Sequence, residues 1–255
     1  GLIFGTIMAN SPATVQSRLD VVDAHAYWQH PQFPGQPWDS VNWTVGNVAL
    51  VNTIGDDNPL TGLARQRIKG KPFTVTEYQH PAPNQYSAEA PLLLAAYAAL
   101  QDWDGIWLFD YGPGQDSVAM GRIRGFFDTA QHPAKMANLL VAANLFRRGD
   151  VAPAHLEYTL ALEPEAEIDL LRRQASAWSV FTGAQLGLPT RLPFVSRVST
   201  DVGSNATGLH TPPANPIGAV LASDTGELSW NLAAAGRGLV SINTPRTKAL
   251  IGFAD

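Results

Sequence analysis

Apolar positions in the first 110 residues fall in short runs that end on polar or aromatic groups. Residues 2–8, 20–27, 71–78 and 105–110 each hold a partly β-branched run of strand length. Ser11-Pro12 supplies an N-cap followed by proline at the first helical position, which predicts a short helix to about residue 19. Residues 44–69 carry apolar Val45, Val48 and Ala49, then a second helical stretch closing on Leu63, Arg65 and Arg67. Residues 87–100 are dominated by alanine and leucine, both strong helix formers. Residues 117–147 read as helical, with Pro133 opening the last segment and Arg147-Arg148-Gly149 closing it. Strands alternating with helices predict a parallel sheet with right-handed crossovers.

The pattern changes near residue 150. Short apolar stretches separated by Pro, Gly, Ser, Thr and Asn follow, with strands expected near 224–230 and 239–245 and a helical insertion over 165–186. The chain therefore divides into an α/β unit, residues 1–150, and a β-rich, sandwich-like accessory unit, residues 151–255. The abrupt ends, within one apolar run and just after another, lead us to expect both units to be incomplete.

Composition narrows the function. At 45% apolar and 15% charged residues, the chain has the balance of a soluble globular protein. Its net charge of −5 and lack of a basic run give no reason to expect a nucleic-acid partner. No apolar stretch approaches the roughly 18–20 residues that span a bilayer, so no membrane partner is expected. Cysteine is absent, which removes disulfides, thiolate metal ligands and a cysteine nucleophile. No His-Glu-x-x-His run or other compact ligand spacing occurs, and neither a metal nor another cofactor is expected.

The candidate chemistry sits at the strand ends. Glu77 closes the apolar run 71–78, where a parallel barrel places catalytic groups. Asp23, His25 and Tyr27 alternate along the preceding strand and so share one of its faces. Glycoside hydrolysis needs two carboxylates flanking the anomeric carbon, and Glu77 is the candidate nucleophile. Tyr27 is placed to hydrogen-bond that carboxylate, and His25 to reach a sugar hydroxyl or tune the acid. Trp28 and Trp107 are the candidate stacking rings, with Trp38 and Trp43 in the loop that follows Trp28.

The order Asp23-x-His25-x-Tyr27, Thr76-Glu77-Tyr78 and Trp107 resembles the second half of a clan A glycoside hydrolase of the family 5 cellulase type. The resemblance covers residues 1–148. It implies about strands 5–8 of a (β/α)8 barrel, with Glu77 as nucleophile, His25 and Tyr27 on the sixth strand and Trp107 as substrate platform. It also implies a retaining hydrolase acting on a β-linked oligo- or polysaccharide, secreted or periplasmic. The family's acid/base follows an Asn on the fourth strand, and no Asn-Glu pair occurs here. That half of the barrel is expected from a partner segment, in the same gene product or a second chain. The alternatives are a non-catalytic carbohydrate-binding or scaffold protein, or a barrel lyase with a single carboxylate base.

Overall fold

A computed structural model describes residues 1–5, 11–112, 122–173, 185–203, 218–232 and 237–254. Three parallel strands, β1 (Val22–Tyr27), β2 (Phe73–Gln79) and β3 (Gly105–Leu108), lie side by side in chain order. Phe4 extends the order by one parallel bridge to Val21. The expected strand 2–8 is thus seen only where it meets Val21, and residues 6–10 lie outside the described set. Helix α1 (Ala13–Gln16) follows Pro12, shorter than the sequence predicts.

The helices between the strands start where the backbone chemistry allows. Helix α2 (Pro59–Gln66) opens with Asn58 accepting the Leu60 N–H at 2.9 Å and with Pro59 at its first position. The helix expected from Val45 to Ala49 does not form. That stretch runs irregularly before a single 3-10 turn at Leu50–Asn52, and its Val48 carbonyl accepts from the Trp28 indole and the Asn84 amide instead. Helix α3 (Glu89–Leu100) is buried at every position, which its near-uniform apolar composition permits. Helix α4 (Pro133–Arg148) begins at proline and ends on Gly149 in the left-handed conformation (φ 59°). Residues 122–132 before it are irregular, and 113–121 lie outside the described residues.

After residue 150 the architecture changes. Strands β4 (Glu157–Leu162) and β5 (Arg197–Val202) form a parallel pair, with α5 (Pro164–Arg173) between them in sequence. Strands β6 (Val220–Ala222), β7 (Leu228–Asn231), β8 (Leu239–Asn243) and β9 (Lys248–Gly252) form an antiparallel meander. The molecule is a mixed α/β structure with parallel sheets and an antiparallel C-terminal region. Among the described residues the meander does not stack on a second sheet as a sandwich would. It packs toward α3.

No break in the core marks the boundary near 150. One apolar cluster runs from Val22 and Phe73 through α3 to Phe194, Trp230 and Ile251. Tyr97 of α3 meets Phe194 at 5.4 Å and Trp230 at 5.6 Å. The Trp230 indole donates to the Val51 carbonyl at 2.7 Å. A Cβ on Gly238 would come within 1.8 Å of that same carbonyl oxygen, so only glycine lets the two backbones approach. Gln101, just past α3, donates to the carbonyls of Pro193 and Ser196 at 2.7 Å each. Glu167 of α5 accepts the Thr14 N–H at 3.0 Å and so holds α1.

Glu89 ties α3 to the turn at Leu50, accepting that residue's N–H at 2.7 Å. Burial pushes the Glu89 carboxyl up to about 7, against the lowering effect of the Leu50 and Val51 amides. The folded state therefore holds this proton more tightly than the unfolded chain. The associated stability is complete below about pH 4.5 and is lost as pH rises through about 7. At about 1.4 kcal/mol per pH unit, the loss is on the order of 3 kcal/mol. Urea unfolding between pH 5 and 8 should show this decline, and Glu89→Gln should flatten it, with the same slope in both proteins counting against the assignment.

Candidate active site

The site lies at the C-terminal ends of β1 and β2. Along β1, Val22 and Ala24 turn toward the helices and the core, while Asp23, His25 and Tyr27 share the opposite face. Along β2, strict alternation would put Thr76 and Glu77 on opposite faces. The β1–β2 register instead shifts between Ala24 and His25, so that Asp23 pairs with Thr74 but His25 pairs with Glu77. This irregularity brings Thr76 and Glu77 together on the face of Asp23 and His25 and returns Tyr78 to the core.

Asp23 anchors the arrangement. It is buried, and its carboxylate accepts the Thr74 hydroxyl at 2.6 Å, the Thr76 hydroxyl at 2.6 Å and the Thr76 N–H at 3.1 Å. His25 bridges two carboxylates. Its Nε2 lies 3.2 Å from Asp23 Oδ2 and 2.9 Å from the Thr76 hydroxyl, and its Nδ1 lies 3.2 Å from Glu77 Oε2. The Thr76 proton is committed to Asp23, so both ring nitrogens of His25 face acceptor oxygens.

Glu77 is held through one oxygen. The Tyr27 hydroxyl donates to Oε2, the atom that His25 also approaches. Among the described residues Oε1 accepts no hydrogen bond, and the side chain keeps 31% of its surface exposed. The Tyr27 phenol is pushed up from its ordinary range by burial, then by its bond to Glu77 and by the nearby charges of Glu77 and Asp110. It therefore stays protonated and remains a donor. The result is a partly exposed carboxylate with one oxygen clamped and the other without a hydrogen-bond partner among the described residues.

The aromatic residues distribute differently from the sequence expectation. Trp28 is buried in the core with its indole N–H on the Val48 carbonyl at 2.8 Å, so it packs the fold and exposes almost none of its ring. Trp107 is exposed on β3, but its ring folds back over Gly105, where an added Cβ would come within 2.6 Å of it. Among the described ring contacts, Phe109 meets Tyr27, at 6.4 Å, and Trp107 does not. Phe127 packs on Tyr27 at 4.8 Å and on Phe109 at 5.6 Å. Phe109 directly follows β3, two residues past Trp107, and its place just beyond the strand's C-terminal end is the sequence signal that could have singled it out.

A second titratable group lies behind the site, and sequence reasoning missed it. Lys135, in the first turn of α4, is fully buried, and its Nζ has no hydrogen-bond partner among the described residues. Burial lowers it to about 7, partly countered by Asp128 and Asp110. A helix N-terminus also disfavours its charge. His80 is buried with its Nε2 2.9 Å from the Tyr78 hydroxyl, and burial and the Lys135 charge hold it well below the usual histidine range. His132 is lowered for the same two reasons and contacts Ser87 at 2.8 Å. Asp110 is raised by burial and by Asp128.

Among the described residues, no group of three or more His, Cys, Asp or Glu is arranged to hold a metal ion, and no helix is long and apolar enough to cross a membrane. Compared with known proteins, the chain matches no family model, and no curated protein or solved structure matches it.

With only four lysines in the chain, the side-chain amine of Lys135 can be followed by NMR. It should titrate near pH 7, far below the ordinary lysine value of 10.5. Because folding depresses this value, the penalty is absent above about pH 10.5 and grows as pH falls toward 7. Lys135→Met should therefore raise the unfolding midpoint at pH 7. Titration of Lys135 near its ordinary value of 10.5 would show that its amine is hydrated.

Proposed function

We propose that residues 1–150 are part of a (β/α)8 barrel, about its strands 5–8, and that the assembled barrel hydrolyses β-glycosidic bonds with retention of configuration. Support for the barrel comes from parallel strands that neighbour one another in chain order and from polar groups gathered at their C-terminal ends. Both edges of this sheet are open among the described residues. Leu2, Ile3 and Phe4 are exposed at one edge, and Trp107 at the other. Open edges and exposed apolar side chains call for covering strands. A segment outside residues 1–255, in the same gene product or a second chain, supplies them in this reading.

The observation that carries the chemistry is the one-sided clamp on Glu77. Oε1 attacks the anomeric carbon, the bond to the leaving oxygen breaks with its electron pair, and an acid on the partner segment protonates that oxygen. A glycosyl ester then links the sugar to Glu77 Oε1. Throughout, Tyr27 keeps its hydrogen bond to Oε2, which becomes the ester carbonyl oxygen. Water activated by the same partner group, now acting as base, hydrolyses the ester and restores the carboxylate. His25 fixes the rotation of the carboxylate from the other side. The partner acid/base belongs about 5–5.5 Å from Glu77, the separation of retaining enzymes.

In the assembled protein, Glu77→Gln should lower hydrolysis of β-linked oligosaccharides by roughly 10⁴-fold or more while binding persists. Tyr27→Phe, which removes one donor, should cost about 10²–10³ in kcat. Hydrolysis that survives Glu77→Gln would exclude the nucleophile role. Binding without turnover in the parent protein would instead favour a carbohydrate-binding module.

A further inference from the structure

A chain of rings leads away from Glu77 along the loop after β1. Tyr27, the partner of Glu77, meets His30 at 5.3 Å, and His30 meets Trp38 at 5.6 Å. Phe33 backs Trp38 at 5.4 Å and reaches Phe126 at 5.6 Å. Phe126 in turn packs on Phe127 at 4.8 Å and on Trp43 at 5.3 Å. Each ring-to-ring step is on the scale of one pyranose with its linkage. Ser40, Trp43, Thr44, Pro83 and Arg124 line an open groove beside the rings, offering hydroxyl and guanidinium groups next to apolar faces.

Trp38 is the outermost ring, and two observations separate it from ordinary surface packing. It remains 64% exposed although two aromatic neighbours, His30 and Phe33, pack against it. Its backbone is left-handed, with φ of 62°, a conformation that bulky side chains rarely adopt. The loop holds it there firmly. Gln32 and Thr44 exchange backbone hydrogen bonds of 2.9 Å in both directions and close the loop at its base. Asp39, the next residue, accepts the N–H groups of Val41 and Asn42 at 2.8 and 3.1 Å. A rigid loop that presents a large, partly backed ring in a disfavoured conformation has the character of a ligand platform.

We infer that Trp38, backed by His30 and Phe33, is the distal stacking platform of an extended subsite, so that the ligand is a β-linked oligosaccharide of several units and not a mono- or disaccharide. This rests on the glycosidase reading of Glu77 and extends it from the bond cleaved to the length of chain bound. An extended site on one side of Glu77 suits attack within a polysaccharide.

The test is titration by calorimetry of the assembled protein carrying Glu77→Gln with β-1,4-linked gluco- and manno-oligosaccharides, from disaccharide to hexasaccharide, with and without Trp38→Ala. Affinity should rise with length in the Glu77→Gln parent. Trp38→Ala should lower affinity for the longest members by about tenfold and leave the disaccharide unchanged. Trp38→Phe should recover most of the loss. Equal affinity of parent and Trp38→Ala at every length would overturn the subsite, and so would a uniform loss at every length, which would show that Trp38 only props the loop. A parent that binds no oligosaccharide at all overturns the subsite and the glycosidase reading together.

Discussion

The buried carboxylate of Asp23 is the interaction on which the site depends. It gathers two threonine hydroxyls and a backbone N–H from β2 and takes one contact from His25. A buried carboxylate left without donors is costly, and here the donors come from a neighbouring strand. Satisfying Asp23 therefore fixes how β1 and β2 pair at the place where their register shifts. The shift turns Glu77 toward His25 and Tyr27. A strand pairing one residue out of step would send the same carboxylate toward the helices.

Around this polar centre the packing is continuous. Helix α3 has no solvent face, so its outer side needs a cover, and the C-terminal segment supplies it through Phe194, Trp230 and the β6–β9 sheet. The contacts that bind the two halves are mixed in kind. Trp230 adds a hydrogen bond to aromatic packing, Gln101 satisfies carbonyls of the 193–196 turn, and Ile68 bridges to Thr200. The segment after residue 150 thus completes the core of the segment before it. That dependence predisposes the two to fold as one cooperative unit.

Charge is arranged asymmetrically about the sheet. On the open side, Glu77 keeps solvent access and two neighbours aimed at a single oxygen. On the closed side, Lys135 and His80 are buried where neither charge is favoured, with Asp110 and Asp128 as the compensating carboxylates. Asp110 joins the two sides, because its charge acts on both Tyr27 and Lys135. Titratable groups of perturbed affinity at the end of a parallel strand are a recognised mark of functional sites.

Much of this was legible in the chain itself. Apolar runs at strand spacing located β1, β2 and β3, and Pro133 and Gly149 marked the two ends of α4, because local sterics and capping act within a few residues. The period of two along β1 put Asp23, His25 and Tyr27 on one face, and polar strand ends singled out Glu77. Tertiary structure decided the rest. Glu77 shares a face with Thr76 only through a register shift, which pairing with β1 imposes and alternation alone does not encode. Trp28 and Trp38 look alike in sequence, yet one is sealed in the core and the other stands in solvent, since burial depends on distant Val48 and the neighbouring rings. Lys135 sits in an ordinary helical stretch, and its depressed affinity for a proton arises from desolvation by segments remote in sequence. The sequence by itself determined which groups were available and in what local geometry, while long-range packing determined which of them met and which kept their water.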